Sequence, residues 1–209
     1  MPSHYLHLIL SYQRAAETGI ADERCSAFLL GAVAPDAVAV HRDKRRTHYA
    51  VHVGVTWGFR FPAFEREFVD YRERSILHRY FYLGYKYHLL LDDAWLRECG
   101  HRAVCRLAIR RLTGSANGRL AQYYHEMSQF DAFHRSSVDR SVLQDAYACL
   151  ARADFDLLPE FLEPEALNSI LGHLSNTMSQ RMSHFDGQIL QARDADRFLF
   201  RASEVLIEL

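Results

Sequence analysis

The segment GYKYHLLLDDAW, residues 84–95, lies in the most apolar part of the chain and still carries a histidine and two aspartates. It belongs to a long apolar stretch, residues 77–99, which predicts a core helix. His88 and Asp92 are one helical turn apart, so their side chains point to the same, inner face of this helix. The spacing therefore predicts that the imidazole and the carboxylate share one buried site.

Helical periodicity dominates the rest of the chain, and no alternating strand pattern longer than a few residues is visible. A chain of 209 residues is long enough to bury one full core. We therefore predict an all-α fold with one domain over residues 1–209, in which residues 1–100 carry most of the site and residues 119–209 form a helical remainder. Breaks are expected at Gly19, at Gly100 and in TGSANG, residues 113–118. The other predicted helices cover residues 5–17, 64–75, 103–112, 119–135, 141–151, 164–191 and 195–209.

Residues 29–52, LLGAVAPDAVAVHRDKRRTHYAVH, form the predicted irregular segment. Pro35 disfavours helical geometry at Ala34, so Asp36 is expected at a corner between a helix and a loop. A charged loop then leads the chain to His48. Loops on a rigid scaffold often carry binding residues, and we expect this segment to contribute some.

The composition is that of an ordinary globular protein, with 49% hydrophobic and 24% charged residues. A formal net charge of −1 gives no sign of a nucleic acid or an anionic membrane as partner. No stretch approaches the roughly 20 apolar residues of a membrane span, and the N-terminal sequence has no basic leader or cleavage site, so we expect an unprocessed cytoplasmic protein. The four cysteines form no Cys-x-x-Cys pair and are expected to be reduced packing residues.

Five potential metal ligands stand in otherwise hydrophobic sequence: His7, Asp36, His48, His88 and Asp92. A His-x-x-x-Asp pair alone could be a buried hydrogen-bonded pair, but burying five titratable groups without a cation would be costly. Imidazoles and carboxylates together suit zinc first, and iron, manganese or cobalt next. Such a mixed set can leave a coordination position for water, which favours a catalytic site.

Four segments carrying these residues resemble, in order, the zinc-dependent phospholipase C family: HLILSYQRA from His7, FLLGAVAPD ending at Asp36, RTHY with His48, and YLGYKYHLLLDDAW with His88 and Asp92. That family comprises all-helical, metal-dependent phosphodiesterases related to the single-strand-specific zinc nucleases. The resemblance covers about the first half of the chain. It implies a helical bundle of this type, with Asp36, His48, His88 and Asp92 around one zinc ion. It also implies that Asp92 bridges to a further zinc, which His7 helps to hold.

The chain departs from the family pattern at the remaining zinc, which in the family uses a histidine shortly after the bridging aspartate and then a His-x-x-x-Glu pair. Here Glu98 stands six residues after Asp92, and no histidine is followed by glutamate at that spacing. Secreted members also use their freed N-terminal residue as a ligand, and we expect this ligand to be lost or replaced here. The expected number of ions therefore lies between one and three.

Other side chains could supply the missing ligands. His52 lies one turn after His48 and is either a ligand, a neighbour of the site or a surface residue. His101, His125 and Asp131 are candidates for a further ion. Residues 123–131 are also explained as a helix that packs aromatic side chains inward and exposes its other face.

The densest basic run, HRDKRR at residues 41–46, lies between two predicted ligands. Such runs are usually solvated loops. Alternatively, Lys44, Arg45 or Arg46 binds a substrate phosphate beside the metal through charge-assisted hydrogen bonds.

These features predict a metal-dependent hydrolase that uses a metal-bound water, with Asp36 orienting that water or accepting its proton. The resemblance favours a phosphoester, and we expect a small, anionic molecule as substrate. One alternative is hydrolysis of a non-phosphate ester or an amide at the same site. Another is a metal-stabilised helical binding protein without turnover.

Overall fold

The computed structural model describes residues 3–37, 45–53, 56–109, 116–185 and 187–205; of residues 52, 53, 56, 57, 104, 107–109 and 116–120 it describes the backbone. These residues are mainly helical, which confirms the predicted all-α class. The helices are α1 His4–Glu17, α2 Asp22–Val33, α3 Phe61–Glu67, α4 Val69–Arg74, α5 Ile76–Trp95, α6 His101–Ile109, α7 Ala116–Ser137, α8 Arg140–Ala151, α9 Pro164–Thr177 and α10 Ala192–Glu204.

Helix α5 lies at the centre of the bundle and packs against α2, α4 and α10. It begins where the Ser75 side chain accepts a hydrogen bond from the backbone N–H of His78, 3.2 Å away, as an N-terminal cap. Its apolar side chains, among them Phe81, Tyr85 and Leu89, are completely buried. Buried apolar residues from α1 to α10 form one hydrophobic cluster around it. None of the described helices is both long and apolar enough to cross a membrane.

Helices α2 and α5 cross at very short distance because each places a glycine at the crossing. A β-carbon at Gly31 would collide with the backbone carbonyl oxygen of Phe81, and a β-carbon at Gly84 would collide with that of Phe28. Backbone therefore touches backbone at two reciprocal points. This crossing lies one turn before His88 and directly beside Ala32.

A short antiparallel hairpin interrupts the helices, with β1 Ala50–Val53 and β2 Thr56–Phe59. Ala50 lies opposite Phe59 and Val53 opposite Thr56. The sequence did not predict this hairpin, because strands of four residues are too short to show a clear alternation.

Several predicted boundaries were wrong. Residues 29–33, assigned to the irregular segment, complete α2, and Ala34 keeps helical geometry, with φ −58° and ψ −38°, although Pro35 follows it. The chain leaves helical geometry only after the 3₁₀ turn Ala34–Asp36, so Asp36 does lie at a corner between a helix and a loop. Gly100 does not end the long helix, because the π-helical turn Leu96–Gly100 carries α5 into α6.

The predicted helix 64–75 is divided at Phe68, and α9 ends at Thr177 rather than at residue 191. Of the predicted break at 113–118, residues 113–115 lie outside the described residues and 116–118 belong to α7.

Candidate metal centre

Five side chains from four parts of the fold meet beside α5. His7 comes from α1, Asp36 from the 3₁₀ turn after α2, and His48 from the loop before β1, while His88 and Asp92 project from α5. All five are buried. Helix α5 is apolar on nearly every side, so the turn that carries His88 and Asp92 places their polar groups in the core. The side chains from the other three elements lie beside these two residues there.

The central group of atoms has the spacing of a metal coordination shell. His48 Nε2 lies 3.2 Å from His88 Nε2, 3.4 Å from Asp36 Oδ1 and 3.5 Å from Asp92 Oδ2. His88 Nε2 lies 3.6 Å from the same Asp92 oxygen. Four atoms at zinc-ligand distance, about 2.0–2.1 Å from a tetrahedral ion, would be about 3.3 Å apart. Asp36, His48 and His88 could therefore hold one divalent ion. Asp92 Oδ2 lies beside this group through its contacts with both histidines and is a candidate fourth ligand.

Asp92 also faces a second group of atoms. Its Oδ1 lies 3.3 Å from His7 Nε2, on the other side of the carboxylate from Oδ2. The ring of His7 stacks on that of His88, with centroids 3.7 Å apart and planes 13° apart. His7, His88 and Asp92 thus form a further set of possible ligands. The two oxygens of Asp92 could serve two neighbouring ions.

Polar atoms in the cluster lack the partners that buried groups normally have. Among the described residues, neither oxygen of Asp92 and neither ring nitrogen of His7 makes a hydrogen bond, since the 3.3 Å approach between the two side chains is not aligned for one. Buried polar atoms are nearly always hydrogen-bonded, and leaving a carboxylate without a partner is expensive. A bound cation would satisfy these atoms, so the residues fit a metal ion.

The electrostatics of the cluster favour the protonation states that metal ligands need. Burial, together with the neighbouring His88, lowers the pKa of His7 to about 4. Burial raises the pKa of Asp92, but His88 and His7 outweigh it and hold the pKa well below the usual value. Burial also raises the pKa of Asp36. The hydrogen bond to His48 and the charges of His4 and His88 lower it by more, so the pKa of Asp36 lies well below the usual value. A neutral imidazole and ionised carboxylates are the forms that bind a divalent ion.

Neighbouring backbone and side chains orient two of the imidazoles. The Nδ1–H of His88 donates to the backbone carbonyl of Ala32 at 2.7 Å, which directs Nε2 with its lone pair into the cluster. His48 Nδ1 lies 3.1 Å from the buried hydroxyl of Thr47, an arrangement that likewise directs Nε2 inward. The carbonyl can only accept a hydrogen bond, so it fixes both the tautomer and the ring orientation of His88, whereas the hydroxyl can donate or accept and fixes only the ring orientation of His48.

Sequence reasoning missed one residue of the cluster, His4. Its Nε2 lies 3.4 Å from Asp36 Oδ2, the carboxylate oxygen that faces away from His48. The His4 side chain is 28% exposed, whereas the Asp36 side chain is 5% exposed and those of the other four are at most 1% exposed. Solvent therefore reaches the cluster at the His4 and Asp36 end. The three-residue spacing between His4 and His7, which puts both on one face of α1, was the available signal.

Three of the remaining candidates, His101, His125 and Asp131, lie outside the cluster. His101 and His125 are exposed, and Asp131 is buried beside Arg135 on α7. Within the described part of the chain, neither group of possible metal ligands includes these three residues. His52 lies in β1, and its side chain is outside the described residues, as is Lys44. Their roles stay predictions.

The basic loop is described from Arg45 onward. Arg45 and Arg46 are exposed, and the Arg46 guanidinium lies 5.4 Å from the centre of the Phe161 ring, within range of a cation–π contact. Both residues immediately precede Thr47 and His48. This places cationic side chains on the segment that delivers a possible metal ligand.

The cluster supplies three imidazoles and two carboxylates, a set that could hold one or two divalent ions. It does not distinguish zinc from iron, manganese or cobalt, because all four accept nitrogen and oxygen ligands. The case for a metal centre rests on these residues and their geometry alone. No protein-family model, curated protein or solved structure matches the chain.

Proposed function

We propose that this protein is a metal-dependent hydrolase that cleaves a phosphoester bond, with a zinc-type ion held by Asp36, His48, His88 and Asp92. The observation that carries the proposal is the buried set of ligand-type atoms around His48 and His88, in which neighbouring atoms lie 3.2–3.6 Å apart and, among the described residues, the Asp92 oxygens have no hydrogen-bond partner. A divalent ion in such a site lowers the pKa of a water molecule and polarises a phosphoryl oxygen.

Asp36 is the side chain we assign to the attacking water. It lies at the more open end of the cluster, with one oxygen toward His48 and the other toward His4. Its pKa is held well below the usual range, so it stays ionised and accepts hydrogen bonds. Because so weak a base takes up a proton poorly, orientation of the water suits Asp36 better than proton abstraction.

Two features support a phosphoester as the bond that is cleaved. The first is the resemblance of the ligand-bearing segments to the zinc-dependent phospholipase C family. The second is the pair of exposed cations, Arg45 and Arg46, on the loop that leads to His48. Guanidinium groups bind phosphate oxygens through paired hydrogen bonds, so this loop suits a small anionic substrate.

A metal-stabilised binding protein without turnover is the second candidate. The observation that favours it is the depth of the cluster, since His7, His48, His88 and Asp92 expose at most 1% of their side chains. Structural metal sites are closed, whereas catalytic sites keep a position for water. The exposed edge at His4 and Asp36 is what favours the hydrolase.

The test combines metal analysis with hydrolysis assays. Elemental analysis of the purified protein counts the ions per chain. The metal-loaded protein is then assayed with bis(4-nitrophenyl) phosphate, 4-nitrophenyl phosphate and 4-nitrophenyl acetate, with chelated protein and Asp92→Asn as controls. Metal-dependent cleavage of a phosphate compound supports the proposal. Cleavage of the acetate alone would replace it with an acyl hydrolase, and a metal-loaded protein inactive toward all three would favour the binding protein.

A further inference from the structure

The orientation of His88 depends on a backbone group of another helix. The acceptor for its Nδ1–H is the carbonyl of Ala32 in α2, 2.7 Å away and fully inside the protein. A backbone carbonyl of one helix reaches a short side chain of another only where the two helices lie unusually close. The close crossing of α2 and α5 provides that distance.

Two glycines make the crossing possible, and they stand next to the groups that form the bond. Gly31 directly precedes Ala32, and Gly84 lies one turn before His88 on the same face of α5. A β-carbon at Gly84 would collide with the Phe28 carbonyl and lie 3.0 Å from the Ala32 nitrogen. The same substitution at Gly31 would collide with the backbone of Phe81 and come within 2.8 Å of the Tyr85 nitrogen.

We infer that Gly31 and Gly84 are positioning residues for the metal centre. Their contact sets the separation of α2 and α5 at which the Ala32 carbonyl fixes the proton on His88 Nδ1. This leaves the Nε2 lone pair aimed at the space shared with His48 and Asp92. A side chain at either glycine forces the helices apart, and the bond stretches beyond the roughly 3.2 Å limit of a good N–H···O hydrogen bond. The inference rests on the proposed metal site for its functional consequence.

The first test measures zinc affinity by chelator competition in Gly84→Ala and in a matched control. Gly172→Ala is the control, because Gly172 lies in α9 and a β-carbon there meets no atom within 4 Å. Loss of a partner that orients a metal-binding histidine typically costs about 10–100-fold in metal affinity, and we expect that loss for Gly84→Ala and none for Gly172→Ala. A folded Gly84→Ala protein with wild-type affinity would overturn the inference.

The second test determines the position of the proton directly. Its wild-type measurement does not require a variant of the helix crossing to fold, and it separates this inference from the proposed function. Nitrogen-15 NMR of the metal-free wild-type protein reports which nitrogen of each histidine carries the proton, with His88 assigned from the signals lost in His88→Gln. We expect the proton on Nδ1, and a mixture of tautomers in Gly84→Ala. A proton on Nε2 in the wild-type protein would overturn the inference. A wild-type protein with the Nδ1 proton but no zinc affinity would instead overturn the proposed metal site.

Discussion

Asp92 lies between the two groups of possible ligands, which share His88. Its Oδ2 faces His48 and His88, and its Oδ1 faces His7. The other side chains of the cluster lie on one side of this carboxylate or the other. Substitutions around it therefore have different expected effects on the number of ions bound.

We predict that Asp92→Asn abolishes metal binding. If the wild-type centre holds two ions, His7→Gln should remove one of them; if it holds one, His7→Gln should leave that ion bound. The amide keeps the shape of the carboxylate but loses the charge that attracts a cation. Elemental analysis of ions per chain is the measurement. The control is Asp93→Asn, since Asp93 is partly exposed and pairs with Arg97 at 2.7 Å. Equal metal content in Asp92→Asn and Asp93→Asn would contradict the assignment.

The basic loop decides whether the substrate is anionic. Replacing Lys44, Arg45 and Arg46 together with glutamine should lower kcat/KM for a phosphodiester while metal content stays unchanged. One charge-assisted contact contributes about 1.5–3 kcal/mol, so we expect roughly a ten- to hundredfold loss. Assays at two salt concentrations separate a close contact from long-range attraction, which salt screens. A control with the same charge change replaces three exposed arginines elsewhere: Arg140, Arg193 and Arg197.

Unchanged kinetics in the loop variant at both salt concentrations would show that the loop is merely solvated. The preferred substrate would then be an uncharged ester or amide. An equal loss in both triple variants would indicate an effect of net charge instead of a contact with substrate.

Asp131 offers a prediction on pH that does not involve the metal. Burial raises its pKa to about 7 from 3.8, although the Ser3 side chain and Arg135 oppose the shift. Between these two pH values the unfolded chain releases the proton while the folded chain keeps it, so Asp131 destabilises the fold increasingly up to about pH 7. Asp131→Asn should therefore raise the free energy of unfolding, by about 2 kcal/mol more at pH 8 than at pH 5.

Urea unfolding of chelated protein at both pH values is the measurement. The control is Asp145→Asn, because Asp145 is exposed on α8 and its replacement should have the same small effect at both. A gain from Asp131→Asn that does not depend on pH would mean that the folded protein keeps this carboxyl ionised.

At the scale of helices, a carboxylate of α7 binds the backbone of the segment after α9, where Arg106, Arg135 and Ser136 also form hydrogen bonds to it. Glu126 Oε2 accepts the backbone N–H groups of Ile189 at 2.7 Å and Leu190 at 2.8 Å, all of them buried. These bonds satisfy backbone groups that a helix would have satisfied internally. They show how residues 189 and 190 are held without the predicted helix.

Glu126→Ala should therefore lower the free energy of unfolding by about 2–4 kcal/mol, because two buried N–H groups lose a charged acceptor. Denaturant unfolding measures the effect. Glu73→Ala, on an exposed face of α4, should change stability by less than about 0.5 kcal/mol and is the control. Similar stability of the two variants would show that the segment finds other partners.

The helices differed in how well the sequence predicted them. Helix α5 could be predicted because its apolar length is a local signal. The continuation past Gly100 could not, because a glycine after an apolar run usually ends a helix, and the π-helical turn is visible only in the folded chain. The roles of Gly31 and Gly84 were equally hidden, since each depends on the carbonyl of another helix.

For the candidate site, the spacing of residues and the position of a proline predicted part of the arrangement. The four-residue spacing of His88 and Asp92 put both on one face, and Pro35 predicted the corner at Asp36. Helical periodicity could not predict that His7 and His48 lie beside His88 and Asp92, because these contacts depend on how separate elements pack together. His4 was overlooked although its spacing to His7 is a helical one, since its contact with the cluster is made to Asp36, which is distant in sequence.

For the whole molecule, metal removal should lower thermal stability. A ligand that binds only the folded state stabilises it by about 2.7 kcal/mol at a free concentration one hundred times Kd. For a chain of this size that corresponds to a fall in Tm of about 5–10 °C on chelation. Differential scanning calorimetry with and without chelator measures it, and Asp92→Asn should show no such shift. An unchanged Tm after verified metal removal would contradict a buried metal centre.

The depth of the cluster has a consequence for the rate at which ions are exchanged. Among the described side chains of the cluster, those of His4 and Asp36 are the most exposed to solvent, so an ion inside leaves when several bonds break together and the helices open locally. The backbone contact of α2 and α5 holds these helices together. We therefore expect them to open more slowly than the time that purification takes. The metal recovered with the protein then records the ions present while the chain folded, and comparing metals requires refolding the chain with each one in turn.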